Sequence, residues 1–256
     1  MSYRQDSYRG NSKWVGIVVL LAMLGYCASR AGNSPMSRLS TPESAERELL
    51  ADPEGGKLFA TIKQTFPDEF DNLKQIVVKK AGDGASTEQI AATLAETVNT
   101  AESRHRLSVA QAPHEAFAAY RRAEIDLVAA LAAQDVPNCA RYTMEGKTGP
   151  LSNDDLQEKV LAMRLALWAT AAAGRDHPAN RSFTAPARAD LQAIASGMIG
   201  QGLTQEEANR LLTPQGLASG DAQFKCKAGL AYDRALNDLA PAKADNIYGY
   251  LITRQS

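Results

Sequence analysis

The chain has 256 residues, of which 45% are hydrophobic and 22% are charged, and its formal net charge is −1. This composition is ordinary for globular proteins, so it excludes a wholly disordered chain and allows one or two compact domains. A near-neutral charge without a long basic run gives no indication of nucleic-acid binding.

Residues 1–12 form a short polar tail, and residues 14–28 are an uncharged run of fifteen. A helix of that length spans roughly 22 Å, less than the roughly 30 Å hydrocarbon core of a bilayer. We interpret residues 13–29 as a membrane anchor or a cleaved signal segment. The alternatives are a lipoprotein, disfavoured by the bulky Tyr26 before Cys27, and a cytosolic helix that merely packs.

Residues 30–52 contain several Pro, Gly and Ser residues and one possible helical turn, which is typical of a flexible tether. Basic residues flank the apolar segment on both sides, so charge alone hardly fixes its orientation. Short N-terminal tails usually stay in the cytoplasm. We therefore expect a membrane-anchored protein whose body lies in the periplasm or another extracytoplasmic space.

The compartment decides how the cysteines are interpreted. Cys139 lies in a stretch that looks like a loop, and Cys226 lies in a predicted helix. Two thiols in an oxidising space predict a disulfide, whereas two unrelated buried thiols are the alternative. The chain has no CxxC motif and no zinc-type spacing of Cys and His, so we expect no metal site.

Residues 53–256 are predicted to form one all-α exported domain, an orthogonal or antiparallel bundle of about eight helices. Alanine is abundant here and β-branched residues are few, which favours helices over strands. Ile90, Leu94 and Val98 form one apolar stripe, and Phe117 and Leu127 belong to a second, beyond the turn at residues 111–113. These two stripes predict an antiparallel helical hairpin.

A long helix is predicted to follow the Cys139 stretch, with Ser152 as its N-cap. Its middle, residues 160–173, is apolar nearly all round except for Arg164. Because a membrane span needs a longer run without arginine, this pattern favours a central core helix. In the next helix Gly197 and Gly200 are expected to weaken the helical conformation.

His105 continues the stripe of the first hairpin helix, and Tyr120 and Glu124 lie on the stripe of the second. The spacing allows a buried cluster of these three side chains, because residues equally far from the turn lie side by side. Such a cluster is either an acid–base site or a polar network that only satisfies itself in the core.

The segment YRRAEIDL at 120–127 resembles YDRALNDL at 232–239. Each places an arginine and an aspartate one helical turn apart. No longer match and no fixed period accompanies this similarity, so we interpret it as coincidental.

The sequence contains no GxSxG, Walker, GxGxxG, HExxH or EF-hand motif, and we expect no cofactor. We therefore predict a non-catalytic interaction or scaffold module of the bacterial envelope, held to the membrane by its N-terminal segment and binding a protein partner. The alternative is an envelope hydrolase that uses the His105 and Glu124 cluster.

Overall fold

The computed structural model describes residues 39–51, 55–151, 153–211 and 216–254. Within these ranges the chain forms twelve α-helices and no β-strand, so the all-α prediction is confirmed. The prediction of about eight helices is too low. The helices are α1 (Pro42–Ala51), α2 (Gly55–Thr65), α3 (Pro67–Gly82), α4 (Thr87–Arg104), α5 (Arg106–Ala110), α6 (His114–Gln134), α7 (Val136–Glu145), α8 (Asp154–Asp176), α9 (Arg188–Gly200), α10 (Gln205–Leu211), α11 (Ala222–Asn237) and α12 (Pro241–Arg254).

The predicted anchor or signal segment, residues 13–29, lies outside the described residues, as does most of the predicted tether. The last part of that tether forms α1, in which Ala45 and Leu49 are buried against the main core. Residues 42–51 are therefore packed against the body. No helix in the described part of the chain is long and apolar enough to cross a membrane.

The stretch around Cys139 is a helix, α7, and the expectation of a loop there is wrong. Its start is fixed by Asp135, whose side chain accepts a hydrogen bond from the backbone N–H of Asn138 at 3.1 Å. Pro137 fits the first turn because its missing N–H has no helical partner to lose. Gly146 ends the helix with a φ of 66°, a conformation that glycine adopts without strain.

The predicted central helix is confirmed as α8, which packs against α2, α5 and α6. Trp168 in its middle is completely buried. The N-cap is Asn153, whose side chain accepts a hydrogen bond from the backbone N–H of Leu156 at 2.9 Å, and Ser152 lies outside the described residues. Arg164 is accommodated in the apolar middle of α8 because its guanidinium group forms a salt bridge of 3.1 Å with Glu102 on α4.

The two helices of the predicted hairpin are not close neighbours along their length. The first ends at Arg104, and the chain turns at His105 into the short helix α5. The backbone of α4 lies close to α3, whereas α6 packs on α8, α7 and α11. The stripes are buried as expected, but each faces a partner from another part of the chain.

A second, smaller core lies between α9, α11 and α12. Gly197 lies close to α11, because a Cβ built there would lie 2.8 Å from the Cβ of Ala235. This glycine therefore allows α9 to approach α11, although it lowers the helix propensity of its own segment. The smaller core contains Ile194, Met198, Leu203, Ala228, Ala231, Ala235, Leu236 and Ile247.

Candidate functional site

The disulfide predicted between Cys139 and Cys226 is confirmed. It joins α7 to α11 with a Cα–Cα distance of 5.2 Å, and both residues are buried. The two helices approach closely beside it, since a Cβ on Gly229 would lie 2.2 Å from the Oγ1 atom of Thr143. The contact between α7 and α11 fixes the positions of the polar side chains beside it.

Two carboxyl groups lie beside this interface. The hydroxyl of Tyr142 on α7 donates a hydrogen bond of 2.9 Å to Oε1 of Glu124 on α6. The second oxygen of Glu124 is buried without a hydrogen-bond partner among the described residues. Asp233 on α11 lies near enough to interact electrostatically with Glu124. The cluster of Glu124, Tyr142 and Asp233 is called the acidic cluster below.

Burial dominates the ionisation of the acidic cluster. It raises the pKa of Glu124 from 4.5 to about 7, against the opposing effect of the hydrogen bond from Tyr142. Burial, and then repulsion by Glu124, holds the pKa of Asp233 well above its usual range. The same two causes raise the pKa of the Tyr142 hydroxyl. The two carboxyl groups therefore retain their protons to a higher pH than exposed carboxyl groups do.

Tyr120 belongs to the same region as Glu124, as predicted. It is buried, and its pKa is raised first by burial and then by the charge of Glu124. Its ring lies 6.3 Å from the ring of Tyr248 on α12. Tyr120 therefore lies close to both Glu124 and α12.

His105 does not join Glu124, which corrects the predicted cluster of three. Its Nε2 atom lies 3.1 Å from Oε1 of Glu69 on α3. Its ring lies between Phe66 and Trp168, with centroid distances of 4.1 Å and 5.7 Å. The reason is the turn at His105, which directs this side chain towards α3 and α8. A catalytic role for His105, Glu124 or Tyr120 stays a prediction.

A third polar group surrounds the buried Asp245 of α12. Arg181 binds it at 2.8 Å, Arg121 of α6 at 3.1 Å and Nδ1 of His114 at 2.9 Å. Arg181 also donates a hydrogen bond to the backbone carbonyl of Ala110 at 2.9 Å. These contacts fasten α12 and the segment before α9 to α5 and α6, which is a structural role.

The surface carries a shallow depression of about 290 Å³ between α6, α11 and the end of α9. Its charged residues, Arg122, Asp126, Arg234 and Asp238, are exposed to solvent. The other lining residues are Ile125, Gln201 and Asn237.

In the described ranges no group of three or more His, Cys, Asp or Glu side chains is arranged to hold a metal ion. Comparison of the chain with protein-family models, with curated proteins and with solved structures finds no match. The assignment of function therefore depends on the chemistry of the residues described above.

Proposed function

We propose that this chain is a non-catalytic interaction or scaffold module of the bacterial envelope. Its N-terminal segment would tether it to the membrane, and its helical body would lie in the periplasm. The observation that carries this proposal is the buried disulfide between Cys139 and Cys226. Structural disulfides persist in oxidising compartments and are rare in the cytosol.

The enclosure of the polar groups supports a role without catalysis. A catalytic side chain has to reach its substrate, usually in a concave pocket with convergent polar groups. The carboxyl groups of the acidic cluster are instead only partly exposed, between α6, α7 and α11, and Asp245 is buried and bound by two arginines. The depression described above is shallow and lies outside both groups.

The compartment is tested by fractionating cells that express the full chain with a C-terminal tag. We expect the product in the membrane fraction, with Cys139 and Cys226 alkylated only after reduction. Intact mass with and without reductant then shows the gain of two hydrogen atoms for one disulfide. A soluble cytosolic product in which both thiols react without reductant would contradict the proposed location.

The hydrolase alternative retains one observation in its favour. The pKa of Glu124 is raised to about 7 beside a second carboxyl group, which is a property of catalytic acids. Glu124→Gln and His105→Gln distinguish the two functions when turnover of ester, amide and glycoside substrates is measured together with unfolding curves. Turnover abolished in Glu124→Gln without a loss of stability would favour the hydrolase, whereas changes confined to stability favour the interaction module.

A further inference from the structure

The two similar segments of α6 and α11 meet at one place on the surface. Counted 112 residues apart, they share Tyr, Arg, Ala, Asp and Leu at five of eight positions. Three equivalent pairs line the depression between α6, α11 and α9: Arg122 with Arg234, Ile125 with Asn237, and Asp126 with Asp238. The similarity that looked coincidental in the sequence therefore places matching residues around a single concave surface.

The four charged side chains of this depression make few polar contacts with the rest of the described structure. Among the described residues, no ion pair within 4 Å is formed by Arg122, Asp126 or Arg234, and Asp238 accepts one hydrogen bond of 3.3 Å from Gln201. The depression thus presents two guanidinium groups and two carboxylates to a ligand.

We propose that this depression binds a zwitterionic ligand, an amino acid or short peptide with a free ammonium and a free carboxylate group. Arginine pairs with carboxylates through two parallel hydrogen bonds, and the aspartates accept hydrogen bonds from an ammonium group. Because the four charges sum to zero, an ion of one sign gains from one pair and is repelled by the other. A ligand with both charges gains from both pairs.

The site is shallow and its charges are solvated, so we expect weak binding with a Kd on the order of 1 mM at low salt. Added salt should weaken the binding further because the charges are exposed to screening. This site does not depend on the proposed envelope location, and the two proposals therefore fail separately.

The test uses the oxidised full-length chain in mild detergent and the dipeptide alanylalanine, followed by saturation-transfer NMR of the ligand methyl groups. We expect saturable binding of the dipeptide. N-acetyl-alanylalanine, which lacks the ammonium group, and alanylalanine amide, which lacks the carboxylate, should each bind at least about tenfold more weakly.

The variants Arg234→Gln and Asp126→Asn remove one charge of each sign, one from each helix. Each should weaken dipeptide binding about two- to fivefold without changing the urea midpoint, because both side chains are exposed. The matched control is Arg188→Gln, an exposed arginine at the opposite end of α9 from Gln201, which should bind like the parent chain. The proposal is overturned by any of three results: no saturation transfer up to about 20 mM dipeptide, equal binding of the capped analogues, or unchanged binding in both variants.

Discussion

At the scale of single residues, the acidic cluster is the most unusual feature of this protein. Glu124 lies beside Tyr142 on α7, Asp233 on α11 and Tyr120 on its own helix, and each of these groups is either neutral or negatively charged. Its pKa is raised from 4.5 to about 7, so the folded protein retains a proton that the unfolded chain releases between these pH values. The contribution of Glu124 to stability is therefore fully present below about pH 4.5 and is lost as the pH rises through about 7.

We predict that Glu124→Gln removes the Glu124 contribution to this pH dependence, because glutamine stays neutral and can still accept the hydrogen bond from Tyr142, whereas burial still raises the pKa of Asp233. The parent chain should lose about 1–3 kcal/mol of unfolding free energy between pH 5 and pH 8, and the variant considerably less. Urea unfolding at both pH values measures the difference. Glu158→Gln, an exposed substitution on α8, is the control and should retain the slope of the parent. Equal slopes in the parent chain and Glu124→Gln would show that Glu124 does not hold this proton.

The residues of the acidic cluster were only partly predictable from the sequence. Glu124, like its neighbour Tyr120 outside the cluster, follows from the helical stripe of α6, because a stripe is a local property of the chain. Tyr142 and Asp233 required the disulfide to be combined with helical spacing: Tyr142 lies three residues after Cys139, and Asp233 lies seven after Cys226. Both spacings place the polar residue on the same helix face as its cysteine.

At the scale of helices, the close contact of α5 with α8 depends on Gly174. A Cβ added there would lie 1.8 Å from the backbone carbonyl oxygen of Ser108 and 2.9 Å from the backbone nitrogen of Ala112. Backbone atoms cannot move aside as the end of a flexible side chain can. The sequence gives no sign of this constraint, because Gly174 lies near the end of α8, where a glycine is unremarkable.

We predict that Gly174→Ala destabilises the protein by about 1–3 kcal/mol or more, because the added methyl group forces α5 and α8 apart. The unfolding free energy from urea denaturation measures the effect. Gly82→Ala is the matched control, since Gly82 also lies in the last turn of a helix, but an added Cβ meets nothing within 4 Å. That control should be neutral or slightly stabilising, because alanine restricts the unfolded chain. Equal effects of the two substitutions would contradict the close packing of α5 on α8.

The residues at helix ends also explain why some helices were easier to predict from the sequence than others. The start of α4 has a local sequence signal, the capping box of Ser86 and Gln89, and both of its hydrogen bonds are formed. The helix-end signals of α7 are also local and consist of Asp135, Pro137 and Gly146. They enclose only ten residues, and so short a segment between Asp, Pro and Gly resembles a loop in the sequence. Partner choice between helices is different, because a stripe shows which face is buried and not which helix covers it.

At the scale of the whole molecule, contacts between residues far apart in sequence hold the helices together. The main core extends from Ala45 in α1 to Cys226 in α11. The bonds of Asp245 to Arg121 and Arg181 attach the last helix to α6 and to the segment before α9. The disulfide spans 87 residues and joins α11 to α7 next to the acidic cluster. Loss of this bond should therefore lower the unfolding free energy of the whole helical domain.

We predict that replacing both Cys139 and Cys226 by alanine lowers the unfolding free energy by about 2–5 kcal/mol, because the unfolded chain is no longer constrained by the long closed loop. Urea unfolding of the parent chain with reductant should approach the midpoint of the double variant, whereas reductant should leave the double variant unchanged. The double substitution leaves neither Cys139 nor Cys226 as an unpaired thiol, which would add its own chemistry. A parent chain whose midpoint does not respond to reductant, and which alkylates at both cysteines when native, would lack the bond in solution. The main support for an extracytoplasmic body would then be lost with it.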